Sequence, residues 1–390
     1  MTLIELLIAM VIGLGVTLAV SSMVVVGENH KRTTTSTNDT EQTGAFAVYA
    51  LDRIVRSAGS GFADSAYPTD QGVLGCKLNA TIANLPRLVG TPFPPPFSAN
   101  FLAGAVDNLR VAPLLIGFNQ SDDGRSDVLM VMSGSGAAGG VPRQITIPGT
   151  ATSLTLDNTV GFADRDLAIV SQSGTPDCLL EQVLGNPVGA ALPLGGTYYT
   201  VGTTTTIGGL AASTASYVTP IGNAGANNVQ FQLLTVDANR VLDSYDLLQN
   251  IKLVQGSGPA DAVQAIADGV DQMHAIYGID SVGDGKQHTW VSPGAAGYDI
   301  NTVMTTPSVM RKIISVRIAL VIRGEYYDKK LGGVTPPTLT LFGNLTDALG
   351  NPLPALKQIV NLNATDQQYR YRVFEFTVPL RNMLLLAQAP

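Results

Sequence analysis

The chain has little charge, little cysteine and little histidine. Only 14% of its 390 residues are Asp, Glu, Lys or Arg, against about 25% in ordinary globular domains. Two Cys and three His leave little material for a metal cluster. The net charge of −7 argues against a general nucleic-acid-binding protein, because such proteins need a basic face to displace counterions. Low charge together with abundant Thr, Ser and Asn favours a protein outside the cytoplasm.

Catalytic signatures are also missing from the sequence. It contains no G-x-S-x-G, Walker A or H-E-x-x-H motif. Its histidines, His30, His274 and His288, are far apart in sequence, and no pair of carboxylates of catalytic type can be picked out. We therefore predict that the chain is not an enzyme and has no cofactor.

Two short motifs imitate ligand sites. Gly134, Gly136 and Gly139 fit G-x-G-x-x-G, the fingerprint of dinucleotide-binding folds, but a turn and the strand-like GVPRQITI follow where a helix is needed. We interpret them as a glycine-rich hairpin loop. Asp280 and Asp284 are compatible with a solvated acidic turn or with a calcium loop, although their spacing is not that of an EF-hand. No metal site is predicted.

The most informative segment is N-terminal. No charged residue occurs over residues 6–27, and a helix of that length spans about 33 Å, enough for a bilayer core. A secretory signal peptide would have a basic start and a shorter apolar stretch. A plain membrane anchor followed by Lys31 and Arg32 would leave the large domain in the cytoplasm. An ionised Glu5 within the apolar run would cost such an anchor about 3 kcal/mol.

The start MTLIELLIAM and the long apolar helix after it resemble a mature type IV pilin or pseudopilin. The resemblance implies that prepilin peptidase cuts a basic leader before Met1 and that Met1 is then N-methylated. It also implies that Glu5 pairs with the N-terminal amine of a neighbouring subunit. Burying either charge alone is costly, and pairing offsets that cost only in the right register. The alternative is that Glu5 merely reaches the membrane surface.

By this resemblance, residues 1–27 form a helix that lies first in the inner membrane and later in the filament core, with the head outside the cell. The expected core-facing residues are Leu3, Ile4, Leu6, Leu7, Ile8, Met10, Val11, Ile12 and Leu14. The expected partners are other pilin subunits, the inner membrane and prepilin peptidase, and no nucleic acid.

Helical periodicity returns after a polar stretch. Residues 28–44 indicate an exposed helix or connector, and residues 28–59 together the amphipathic second half of one long helix. Gly59 and Gly61 end it. The predicted buried stripe consists of Phe46, Ala50, Leu51, Ile54, Val55 and Ala58.

From residue 60 onward the pattern predicts short strands between Gly, Pro and Asn clusters. Strands are predicted at 128–132, 143–147, 167–171, 197–201, 228–235 and 240–247 and in the C-terminal runs IISVRIALVIR and YRVFEFTVPL. A second helix is predicted at 260–277, from the helical spacing of Val263, Ile266, Ala267, Val270, Met273 and Tyr277.

Three C-terminal motifs narrow the resemblance. IADGVDQMHAIYGIDSVGDG, MRKIISVRIALVIRG and YRYRVFEFTVPLRN, together with LDRIVRSAG at 51–59, resemble the PilW family of minor pilins. A GspJ-like pseudopilin of type II secretion has the same general plan. The resemblance covers about the first 60 residues and 260–383, whereas 62–255 is a divergent insertion region.

We therefore expect an α+β pilin fold, in which a long N-terminal α-helix packs on an antiparallel β-sheet head, residues 60–390, with large β-rich insertions. The expected function is that of a structural subunit of a type IV pilus, a PilW-like minor pilin that primes assembly or lies at the tip. The alternatives are the main repeating subunit of a pilus-like filament, a GspJ-like pseudopilin and a tip adhesin with a role in cell adhesion.

Cys76 and Cys178 are the only cysteines. An even pair in an exported chain favours a disulfide, which would close a loop of about 100 residues and stabilise the fold by up to about 4–5 kcal/mol. The alternative is two buried free thiols. Either way the role is structural.

Overall fold

The structure is a computed structural model that describes residues 2–63, 72–82, 85–87, 93–97, 101, 109–135, 141–150, 152–198, 215–226, 228–248, 263–329 and 333–384. Its first element is helix α1, Leu3–Arg56, which is 54 residues long and therefore about 81 Å. The helix lacks proline, and Gly13 and Gly15 do not interrupt it. It ends at Ser57, whose N–H contacts the carbonyls of Ile54 and Val55.

The largest sheet has eight strands in the order β2-β1-β8-β7-β10-β5-β6-β9. Its pairs are antiparallel except β1 with β8, which run parallel. The sheet carries an apolar cluster of its own. Other residues of the sheet, such as Ile169, belong instead to the main hydrophobic core of the head. The strands of the sheet are β1 (Lys77–Ile82), β2 (Leu85–Arg87), β5 (Arg143–Thr150), β6 (Ser153–Leu156), β7 (Asp166–Gln172), β8 (Asp177–Gln182), β9 (Ala191–Pro193) and β10 (Ser216–Asn223).

A five-stranded antiparallel sheet follows, in the order β13-β12-β11-β4-β3. It supplies much of the main core, including Leu129, Phe231 and Leu233, each 0% exposed. Its strands are β3 (Leu114–Gly117), β4 (Val128–Ser133), β11 (Gln230–Val236), β12 (Val241–Asp246) and β13 (Val263–Asp268).

A four-stranded antiparallel sheet, in the order β15-β14-β16-β19, supports α1. The hairpin of β17 and β18 covers its other face with Leu341 and Val360. The strands are β14 (Val270–Ile279), β15 (Thr289–Val291), β16 (Ile313–Arg323), β17 (Thr338–Leu341), β18 (Gln358–Asn361) and β19 (Tyr371–Pro379). Short helices α2 (Ile300–Thr305), α3 (Pro307–Met310) and α4 (Arg381–Leu384) and 3₁₀ turns Pro354–Leu356 and Asp366–Gln368 complete the described elements.

The expected α+β class, with a long N-terminal helix and a β-rich head, is confirmed. The strands predicted at 128–132, 143–147, 167–171, 228–235 and 240–247 and in the two C-terminal runs are also confirmed within a few residues. The strand predicted at 197–201 is wrong at Thr197 and Tyr198, which form a turn; its next residues lie outside the described part.

The helix predicted at 260–277 is wrong. Its described residues form β13 and β14, separated by Gly269 with φ +82°. Every residue of β14 is buried, because the main core covers one face of the strand and the β17–β18 hairpin covers the other. A strand buried on both faces has no alternating pattern, so its apolar residues can imitate helical spacing.

Two further expectations need correction. The predicted buried stripe is confirmed at Leu51, Val55 and Ala58 but wrong at Phe46, which is 55% exposed, and Ala47 is buried in its place. The glycine motif at 134–139 is not in a hairpin, because β4 and β5 on either side belong to different sheets; residues 136–140 lie outside the described part.

Candidate functional site

The first half of α1 projects without cover from the head. All its large apolar side chains between Leu3 and Val26 are at least 53% exposed, which includes every expected core-facing residue from Leu3 to Leu14. The helix is long and apolar enough to cross a membrane, and its most apolar window is 0% buried. Large exposed apolar surfaces mark contact with lipid or with another protein. This half of α1 is therefore the candidate functional site.

Glu5 closes a capping box at the start of α1. The backbone N–H of Thr2 donates to Oε2 of Glu5 at 2.9 Å, and the N–H of Glu5 donates to the Thr2 hydroxyl at 3.4 Å. This arrangement satisfies two amides that the first helical turn leaves unpaired. The sequence signal for this capping box is the T-x-x-E spacing from Thr2 to Glu5. Met1, the expected site of methylation, lies outside the described residues.

The second half of α1 docks on the head through a face that starts with small and polar residues. Ser36, Thr40 and Gly44 are buried before the apolar contacts begin at Ala47. A Cβ at Gly44 would collide with the ring of Phe374 on β19. Residues 28–44 were expected to form an exposed helix or a connector. They are helical, but the head covers part of them.

Polar contacts fix the docked half at its edges. Arg372 lies 3.1 Å from Glu41, and Arg370 donates to the Thr33 hydroxyl at 3.4 Å. At the far end, the side-chain amide of Asn382 donates to the Ala58 carbonyl at 2.9 Å. The head thus holds α1 from Thr33 to Ala58 and leaves the apolar half free.

The predicted disulfide is confirmed. Cys76 and Cys178 are bonded, with Cα atoms 5.8 Å apart and a separation of 102 positions in sequence. Cys76 directly precedes β1 and Cys178 lies in β8, so the bond joins the two parallel strands at one end. The bond is far in sequence from the apolar half of α1, which agrees with a structural role.

The acidic turn brings one histidine between its two carboxylates. His288 Nδ1 lies 3.4 Å from Asp280, and Nε2 lies 3.5 Å from Asp284. The Oδ1 atom of buried Asp280 accepts the backbone N–H of Gly283 at 2.6 Å, and Oδ2 accepts that of Gly285 at 2.7 Å. The oxygens of Asp280 therefore close the turn. The sequence alone did not place His288 here.

One carboxyl in the five-stranded sheet has a strongly shifted pKa. Burial raises the pKa of Asp243 to about 7, and the charges of Asp237 and Asp268 add to the effect. These three residues lie on or beside β11 to β13, away from the exposed half of α1. The shift therefore concerns the stability of the head.

Comparison with protein families gives a match to the C-terminal part of the chain. Residues 238–382 match PilW, described as Type IV Pilus-assembly protein W. The match confirms the resemblance seen in the C-terminal motifs, begins earlier than the expected residue 260, and supports a PilW-family type IV pilus protein. Comparisons with curated proteins and with solved structures give no match.

Proposed function

We propose that the chain is a structural subunit of a type IV pilus, a PilW-like minor pilin that primes assembly or lies at the tip. The observation that carries the proposal is the uncovered apolar half of α1, continuous with a half that is docked on the head. The PilW match to residues 238–382 supports the assignment to a pilus. The size of the head agrees with a tip position, where a bulky subunit need not repeat.

In this proposal α1 lies first in the inner membrane, with the head outside, and then moves into the filament core. Moving the apolar half from lipid to a helical bundle gains little hydrophobic free energy, because both surroundings are apolar. Specific polar contacts and close packing must therefore select the assembled position. Glu5 is the one charged residue of the exposed half before Glu28.

Glu5 supplies that specificity in the proposal. Its Oε2 already accepts a hydrogen bond from Thr2 of the same helix. Its Oε1 then accepts a charged hydrogen bond from the N-terminal amine of a neighbouring subunit. In a dry bundle the two opposite charges compensate each other only when the helices are in register.

Glu5→Gln and Glu5→Ala separate this pairing from helix capping. Gln keeps an oxygen that accepts from Thr2 but loses the charge, whereas Ala loses both. We expect both variants to remain in carbonate-washed membranes and to be depleted at least tenfold from sheared filaments, because breaking a buried ion pair costs about 3–5 kcal/mol.

The exposed Glu28→Gln is the matched control and should enter filaments like the unmodified chain. If Glu5→Gln enters filaments normally while Glu5→Ala does not, Glu5 is only a helix cap. If the unmodified chain is absent from filaments, the proposal that it is a pilus subunit is wrong.

A further inference from the structure

A polar cavity of about 650 Å³ lies where α1 leaves the apolar segment. Arg32 and Ser36 of α1 line one side of it. The segment after β16, with Tyr326, Tyr327 and Lys329, lines another, and Arg370 before β19 closes it. The cavity thus joins the helix to the end of the head that faces the apolar segment.

Cations are in excess around the cavity. Among the described lining residues, the cations are Arg32, Lys329 and Arg370, and the one carboxylate is that of Asp328, which lies 3.3 Å from Arg370. Arg32 also contacts Glu28 at 3.4 Å, but both side chains are more than half exposed, and exposed pairs of this kind are weak. The cavity therefore suits an anionic group.

The cavity also lies at the right height for a lipid headgroup. Thr33 follows the end of the uncharged segment at Gly27 by six residues, about 9 Å along the helix. The headgroup layer extends about 5–7 Å beyond the hydrocarbon core on each side, within reach of arginine and lysine side chains. Tyr326 and Tyr327 are 46% and 48% exposed, and tyrosine is enriched at this interface.

We propose that this cavity binds the phosphate-bearing headgroup of an anionic phospholipid while α1 is in the membrane. Arg32 and Lys329 donate charged hydrogen bonds to the phosphate oxygens. The bound lipid holds the head against the membrane surface, and the subunit releases it when it enters a filament. The inference rests on the membrane-held state of the proposed function.

Native mass spectrometry of the full chain released from mixed nanodiscs of phosphatidylcholine and phosphatidylglycerol tests the inference. The unmodified chain should retain phosphatidylglycerol over phosphatidylcholine. Arg32→Gln with Lys329→Gln should abolish that preference. We expect the ratio of retained phosphatidylglycerol to phosphatidylcholine to fall about fivefold for each cation removed. Arg32→Lys with Lys329→Arg should keep it, because the charges remain. Lys286→Gln, whose side chain is 80% exposed elsewhere on the head, is the matched control and should also keep it.

The possible failures are distinguishable. A chain that inserts into nanodiscs without a preference for phosphatidylglycerol, or whose preference survives the double glutamine change, overturns the lipid site and leaves the pilus proposal untouched. Displacement of the lipid by excess inorganic phosphate would assign the cavity to soluble phosphate and also overturn it. A chain that does not insert at all contradicts the membrane-held state and both proposals with it.

Discussion

Asp127, at the start of β4, shows how single residues organise the core of the head. Its side chain is completely buried and accepts the backbone N–H groups of Asn119 and Ala275, each at 2.8 Å. Its carbonyl accepts the hydroxyl of Thr235 at 2.9 Å. One carboxylate thus satisfies amides of a loop and of β14, because buried polar groups must find partners.

Asp243 is the residue whose titration should affect stability most visibly. Its pKa is raised to about 7 in the folded chain, against about 4 in an unfolded chain. Between pH 4 and 7 the folded state therefore binds a proton that the unfolded state does not, and the free energy of unfolding falls as the pH rises through this range.

Asp243→Asn should flatten this dependence. We expect the free energy of unfolding of the variant to rise by on the order of 1–2 kcal/mol at pH 8 and to change little at pH 4. The gain is smaller than the full pKa shift implies, because solvent screens part of the effect. Thermal unfolding at pH 4, 6 and 8 measures it, and the exposed Asp39→Asn is the control. An unchanged pH profile in Asp243→Asn would show that this carboxyl does not carry the effect.

At the scale of elements, α1 is a helix with two different surroundings. Up to Val26 its apolar side chains have no cover from the head. From Ser36 a narrow buried face continues through Thr40, Gly44 and Ala47. Small residues open this face, so the backbone of α1 approaches β19 closely where Gly44 meets Phe374.

Gly44→Ala tests that close approach. In an exposed helix, replacing Gly by Ala stabilises the helix by about 1 kcal/mol. Here the added methyl group collides with the Phe374 ring, and overpacking costs about 1–3 kcal/mol. We expect thermal unfolding of the full chain in detergent to show a net loss of up to about 2 kcal/mol in the free energy of unfolding.

Gly27→Ala is the matched control on the same helix, because a Cβ at Gly27 meets nothing within 4 Å. It should not lower the unfolding temperature, because the added methyl group meets no neighbour and alanine favours the helix. A stabilised Gly44→Ala variant would mean that Phe374 moves aside freely and that the contact is not tight.

The elements also show what the sequence can and cannot predict. The apolar helix, the disulfide and the alternating strand β19 follow from local patterns. Strand β14 does not, because the main core covers one of its faces and the β17–β18 hairpin the other, and both come from distant parts of the chain. The cavity lined by Arg32 and Ser36 is likewise assembled from segments 290 or more residues apart in sequence and has no local signal.

At the scale of the whole molecule, one main core joins α1, the five-stranded sheet and the four-stranded sheet, and two smaller cores lie outside it. The eight-stranded sheet is tied to this body partly through Cys76, which belongs to the main core. The parallel pairing of β1 with β8 covers only three residue pairs, so the adjacent disulfide reinforces a short contact.

Removing the disulfide should therefore destabilise the head without unfolding α1. For a loop of 102 residues the chain-entropy model gives up to about 4–5 kcal/mol. We expect Cys76→Ser with Cys178→Ser to lower the thermal unfolding temperature, and the reduced unmodified chain to match it. Equal unfolding temperatures before and after reduction would contradict a stabilising role for this bond.

The central claim is that the apolar half of α1 exchanges lipid for other pilin helices. A photo-crosslinking amino acid in place of Leu14, whose side chain is 70% exposed, tests it most directly, with the same label at the head residue Leu349, 88% exposed, as control. We expect the Leu14 label to crosslink to lipid in membranes that cannot assemble pili and to the N-terminal helix of another pilin in sheared filaments. Crosslinks to lipid alone in cells that assemble pili, with no labelled chain in the filaments, would contradict it.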